Sequence, residues 1–219
     1  MKKIILIISL FIGFLSFGQD AEHIEKTPSE KESKIRLSPF FSYDFILGKE
    51  TANNEYGSTD FFYEKVNYRA GVDVDYFIKK NISISTGINF SNKDYESIYY
   101  CASCFSPYLS NIKRKYLEFP LYGTYHLNFN KFNVFGQLGI VNHITLKREV
   151  QYEDQEIILE NINKYYLSGK IGIGISYPVF GRHRLFVSSD YVTGFTDVFE
   201  NYDYKLKTLG IRMGVQFLI

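Results

Sequence analysis

Tyr116-Leu117-Glu118-Phe119-Pro120-Leu121-Tyr122-Gly123-Thr124-Tyr125-His126-Leu127 separates into two faces when read at a period of two. Leu117, Phe119, Leu121, Tyr125 and Leu127 share one face with Gly123, while Tyr116, Glu118, Pro120, Tyr122, Thr124 and His126 share the other. Such alternation specifies a strand with one apolar face and one polar or small face. The run is about twice as long as a common soluble strand. It matches the roughly 9–11 residues that a strand needs to cross a bilayer, apolar outward and mixed inward.

Seven further segments repeat the pattern on either side: Arg36 to Ile46, Tyr68 to Ile78, Ile82 to Phe90, Phe132 to Leu146, Tyr165 to Tyr177, Leu185 to Val192 and Thr208 to Ile219. Phe132 to Leu146 alternates least cleanly. The connections at Lys79-Lys80-Asn81, Asn128 to Lys131 and Phe180 to Arg182 are short. Those at Leu47 to Asn67, Ser91 to Lys115, Lys147 to Lys164 and Thr193 to Lys207 are long. Short turns at one end and long loops at the other predict an all-β fold: an eight-stranded antiparallel up-and-down transmembrane β-barrel, with the short turns periplasmic and the long loops extracellular.

The bulk properties agree with a barrel. Of 219 residues 45% are hydrophobic, yet the mean hydropathy is only −0.16, which excludes a helical membrane protein but not strands with alternate apolar residues. Tyr (19) and Phe (20) are abundant and Trp is absent, so the girdles at the headgroup level fall to tyrosine and phenylalanine: Tyr43, Phe45, Tyr76, Tyr125, Tyr177 and Tyr191 stand near strand ends on apolar faces. The net charge of +1 gives no electrostatic footprint for nucleic acid. Lys2 and Lys3, an apolar run from Ile4 to Phe14 and a small residue at Gly18 predict a signal peptide over 1–18, removed on export through the general secretory route. Residues 19–34 are polar and predict a flexible lead-in to a barrel over 35–219.

Arg69, Asp73, Asp75, Glu118, Lys170, Asp190 and Arg212 fall on the faces opposite the apolar ones. The lumen of eight strands is only wide enough for side chains to fill, so these charges are expected to form a paired network across it, with Tyr122, Tyr166, Phe77 and Phe186 as bulk. Other candidate chemistry is sparse. Cys101-Ala102-Ser103-Cys104 lies in a long loop without a thioredoxin-like helix, and two Cys are too few for zinc. The expectation is a small disulfide stapling that loop, with Tyr99, Tyr100, Phe105 and Tyr108 around it as a contact surface. His126, His143 and His183 lie in no nucleophile signature, although a triad built from His143 with Ser or Glu of neighbouring strands is a spatial arrangement that sequence does not exhibit. Glu153-Asp154-Gln155-Glu156 reads as a solvated acidic turn. No catalytic, cofactor-binding or metal-binding residues are expected.

Tyr116-Leu117-Glu118-Phe119-Pro120-Leu121 resembles the YLE-[IV]-P-L strand of the PorT-type outer-membrane barrels of Bacteroidetes. Gly136-Gln137-Leu138-Gly139, Gly169-Lys170-Ile171-Gly172-Ile173-Gly174 and Tyr191-Val192-Thr193-Gly194-Phe195-Thr196-Asp197 are similar in spacing to later strands of that family. The resemblance implies a small eight-stranded barrel of the outer membrane, and its namesake implies service to a secretion system. The expected function is a structural or interaction role in the cell envelope, in contact with outer-membrane lipid and other envelope proteins. The alternatives are a deacylase-like lipid hydrolase and an accessory of protein secretion.

Overall fold

The computed structural model describes residues 34–47, 50–54, 57–62, 65–101, 108–152, 155–157, 164–180, 183–196 and 205–219. The strands in chain order are β1 (Ile35–Ile46), β2 (Glu50–Asn54), β3 (Gly57–Phe62), β4 (Asn67–Lys79), β5 (Ile82–Asn92), β6 (Tyr95–Cys101), β7 (Tyr108–Phe129), β8 (Phe132–Tyr152), β9 (Gln155–Ile157), β10 (Tyr165–Phe180), β11 (His183–Gly194) and β12 (Lys207–Leu218). Eight of them make the barrel. β1, β4, β5, β7, β8, β10, β11 and β12 pair antiparallel in that order, and β12 pairs with β1 to close the ring. Closure leaves no edge among these eight, the condition for a sheet in hydrocarbon.

All eight alternating segments lie inside these strands, except that Ile219 follows β12. The faces are inside out relative to a soluble protein. Leu138 is 70% exposed, Ile173 64% and Ile88 59%, whereas Tyr116 is 0% exposed and Glu118 1%. A continuous apolar skin of this kind is a liability in water and a requirement in lipid. Pro120 supplies no N–H to the ladder. The register on either side, Thr86 opposite Leu121 and Asn89 opposite Glu118, is kept, and the Thr86 hydroxyl donates to the Pro120 carbonyl at 3.0 Å.

The loop ends depart from expectation. Residues 47–67, 91–115 and 147–164 were expected as loops, but β2, β3, β6 and β9 lie there, and β7 and β8 run to 22 and 21 residues. With the upper arms of β7 and β8 they form a sheet that continues past the barrel, in the order β2-β3-β6-β7-β8-β9 through the β7–β8 pairing. The apolar alternation stops at Leu117 because the lipid-facing band stops there. The backbone ladder carries on through Lys113-Arg114-Lys115, and only a bulge that leaves Leu146 unopposed marks the boundary. At the other end β7 and β8 are joined by Asn130-Lys131 alone, with Asn130 at φ 51°, a left-handed conformation that Asn tolerates.

Candidate functional site

The lumen is the candidate site, because alternate residues of eight strands converge there. Toward the turn end, β1 and β4 set Arg36 opposite Asp75, and the guanidinium donates to the carboxylate at 2.7 Å. Ser85 also donates to Asp75. His126 stands beside them, 3.4 Å from Arg36 and 3.0 Å from the Ser83 hydroxyl. Above this layer Phe40, Phe135 and Phe186 form an apolar plug, with the Arg212 guanidinium 3.8 Å over the Phe40 ring. Phe135 and Phe186 fit because β10 and β12 have glycine at the facing positions. A Cβ on Gly174 meets the Phe135 ring, and one on Gly214 lies 2.7 Å from Phe186.

The charges concentrate above the plug. Arg69 Nη2 donates to Asp190 Oδ1 at 2.7 Å and Asp44 Oδ1 at 3.2 Å, and Nη1 lies 3.8 Å from Glu118 Oε2. Gly210 makes this close approach possible: a Cβ there would sit 2.7 Å from Arg69 Nη2 and 2.8 Å from Asp44 Oδ1. Arg212 pairs with Asp73, which also accepts the Tyr122 hydroxyl at 2.7 Å. Lys170 lies 3.4 Å from Asp190 and 4.2 Å over the Tyr122 ring. Glu118 accepts from Ser91 at 2.6 Å and faces Lys93 at 3.9 Å and His143 at 3.4 Å.

All seven charged residues singled out in the sequence are buried, at 1–4% exposure. Arg69 lies close to Glu118, while Arg212 bonds Asp73. The expected balance of three cations and four anions is corrected. Among the described residues the buried charges include Arg36, Arg69, Lys93, Arg114, Lys170 and Arg212 against Asp44, Asp73, Asp75, Glu118 and Asp190. Arg36 and Asp44 share the inner face of β1 with Phe40 and Ile46, a mixed face without an obvious polar pattern. Lys93 and Arg114 lie in what reads as a loop. They continue the alternation Asn89, Ser91, Lys93 and Tyr116, Arg114, which was the available signal. Of the bulk residues Tyr122, Tyr166 and Phe186 are buried, and Phe77 is half-buried.

At the loop end the lumen closes on aromatic rings. Tyr166 stacks on His143 at 4.0 Å and meets Tyr116 edge-on at 5.4 Å, and Arg114 lies 4.7 Å over Tyr95. Beneath them Arg69, Lys93, Glu118, His143, Tyr166 and Ser168 line a cavity of about 10 Å³, room for one water at most. This is the constellation closest to an acid–base–nucleophile set. His143 faces Glu118, but neither ring nitrogen is hydrogen-bonded to Ser168, and an acyl chain has no space. His126 belongs to the layer near the turns, and His183 packs edge-on against Phe217 at 4.9 Å. No group of three or more His, Cys, Asp or Glu suited to a metal occurs among the described residues.

The proposed contact loop is only partly described. Tyr99, Tyr100 and Cys101 belong to β6 and Tyr108 to β7, with Tyr99 opposite Tyr108, so the flanks of this loop are a strand pair. Cys101 stands opposite Gly57, and Tyr100 is exposed. Phe105, Cys104 and hence the expected disulfide, Glu153-Asp154, and residues 1–33 with the signal peptide and most of the lead-in, lie outside the described residues.

Comparison with known proteins follows the fold. Neisserial surface protein A matches at a TM-score of 0.51 with 10% identity, covering 85% of this chain and 98% of that one. The outer membrane protein OprG from Pseudomonas aeruginosa matches at 0.48 with 10% identity, covering 86% and 98%. At such identities the first of these supports the barrel fold alone. No curated protein sequence matches the chain. Residues 33–200 match the outer membrane protein beta-barrel domain. That match spans most of the chain and takes in every strand of the barrel but β12, so the chain belongs to the outer membrane protein β-barrel domain family and is a bacterial outer-membrane protein.

Proposed function

We propose that the protein has a structural or interaction role in the cell envelope, exercised by the sheet of β2, β3, β6, β7, β8 and β9 beyond the lipid band. In this arrangement the short turns face the periplasm, residues 1–18 are removed on export, and the lumen conducts nothing. The observation that carries the proposal is the filling of the lumen: a paired charge network lies above a plug of Phe40, Phe135 and Phe186, and the cavity beside His143 has room for no more than a water. Buried charges in such a site need partners and hydrogen bonds, which a network supplies and an ion path does not. The same small cavity counts against a lipid hydrolase centred on His143. The PorT-type resemblance supports a narrower version of the role, as accessory to a secretion system.

Two measurements test this. In planar-bilayer recording the refolded protein is expected to give no steady ohmic steps, and their appearance refutes a closed lumen. For the interaction role, envelope partners are captured in mild detergent with wild type and with a variant whose residues 50–62 are replaced by a Gly-Ser linker. The variant removes β2 and β3 and leaves the eight barrel strands intact. It is expected to keep heat-modifiable gel migration and lose its partner; equal capture by both proteins refutes a role for this sheet.

A further inference from the structure

His126, near the turn end of the lumen, is 1% exposed, with the Phe77 and Phe135 rings 5.1 and 6.2 Å away. Its Nε2 lies 3.4 Å from Arg36 Nη2 and 3.0 Å from Ser83 Oγ, and its Nδ1 lies 3.2 Å from Asn133 Oδ1. A guanidinium has donors and no acceptor, so Nε2 meets Arg36 through a lone pair. Nδ1 then carries the ring proton and donates it to Asn133, whose amide donates to Asn128 Oδ1 at 2.8 Å. Arg36 is fixed independently: its Nε donates to Asp75 at 2.7 Å, its Nη1 donates to Gln216 at 3.4 Å, and the guanidinium lies 4.9 Å over Phe77. One neutral ring thus ties β1 and β5 to the foot of β7 and β8. A second proton on the ring goes to Nε2 and takes up that lone pair. Both nitrogens are then donors, and a cation faces a cation. The charged groups acting on the ring are Arg36 from β1, Asp75 from β4 and Arg184 from β11, beside the neutral Ser83 of β5 and Asn133 of β8. Asp75 is already held by Arg36 and Ser85, and Arg184 adds a further positive charge.

We infer that His126 is an acid-released latch at the turn end of the barrel. Neutral, with its proton on Nδ1, it holds Arg36 and the β7–β8 turn together. Protonated at Nε2, it loses Arg36 and lets the turn open. The plug of Phe40, Phe135 and Phe186 lies above the latch, so release frees the turn end without opening a path through the lumen. The latch therefore stands or falls apart from the closed lumen proposed above. Loss of a hydrogen bond to a charged group corresponds to about 10- to 100-fold in the local opening equilibrium.

The test uses the full chain refolded in detergent micelles. Nitrogen NMR of the histidine rings at about pH 7.5 is expected to find His126 protonated at Nδ1 and bare at Nε2. Amide exchange over residues 126–133 is then followed down to about pH 4 in wild type and in His126→Gln, whose side chain does not titrate. The ratio of the two cancels the intrinsic pH dependence of exchange and the titration of Asp75. The proteins are expected to exchange alike at neutral pH, and wild type about 10- to 100-fold faster at the acid end. A ring protonated at Nε2 at neutral pH, as the other tautomer or as the cation, overturns the inference, and so does a ratio that stays flat. If His126→Gln does not refold, wild type alone decides: faster exchange at the turn must set in together with protonation of Nε2, and separate onsets overturn the latch.

Discussion

Arg69→Met is expected to cost the barrel about 3–5 kcal/mol, the range for removing one partner of a buried ion pair. Arg69 is 2% exposed and stands among three carboxylates, Asp190, Asp44 and Glu118. Without it Asp44 keeps Lys93, and Asp190 keeps Lys170 and Arg212 at 3.4 and 3.7 Å, but the bonds at 2.7 and 3.2 Å to the guanidinium are lost. Arg69→Met/Asp190→Asn removes a matched pair and is expected to be less damaging than Arg69→Met alone, because fewer buried charges are left over. Urea titration in detergent micelles reads both. With a slope of about 1–3 kcal/mol per molar, the single change moves the midpoint by a molar or more. Lys147→Gln, at the exposed pair with Glu149, is the control and should cost about 1 kcal/mol or less. An unchanged midpoint for Arg69→Met would mean that water reaches the network and screens it.

The two levels of this structure were not equally legible. Alternation assigns each residue to lipid or lumen because a strand's side chains have a strict period of two, so Ile173 and Glu118 needed no tertiary information. Which lumen residues meet depends on the stagger between strands around the ring, a property of closure. Arg69 on β4 and Asp190 on β11 are separated by 121 positions in sequence, and no local pattern pairs them. The contact between Glu118 and His143 was within reach. The Asn130-Lys131 turn joins β7 to β8, and counting back equally from it puts Glu118 opposite His143, well before the bulge at Leu146 shifts the register. The sheet beyond the lipid band is illegible in the sequence for a different reason. Its strands mix apolar Ile98, Leu109 and Ile112 with Glu96, Asn111, Lys113 and Arg114, and several are only three to seven residues long, so no sustained alternation marks them.

Leu138→Arg/Ile173→Arg is expected to abolish stable assembly. Leu138 on β8 and Ile173 on β10 are the most exposed apolar residues of the adjoining strands and lie midway along their lipid-facing runs. An arginine at the bilayer midplane of such a barrel costs about 2–4 kcal/mol. The register places Leu138 opposite Ile171 and Ile173 opposite Gly136, so the two new cations are diagonal neighbours on one face and repel each other. The combined cost approaches the whole stability of an ordinary domain, about 5–15 kcal/mol. Ile78→Arg, at the turn-end margin where Ile78 is 53% exposed, is the matched control. Near the interface the same charge costs about 0–1 kcal/mol, so this variant should assemble. Heat-modifiable migration of outer-membrane fractions separates the outcomes: a slow, fully denatured band for the double variant and a compact unheated band for Ile78→Arg. If the double variant gives the compact band, β8 and β10 do not face hydrocarbon at these positions, and the midplane must be moved along the barrel or the two faces exchanged.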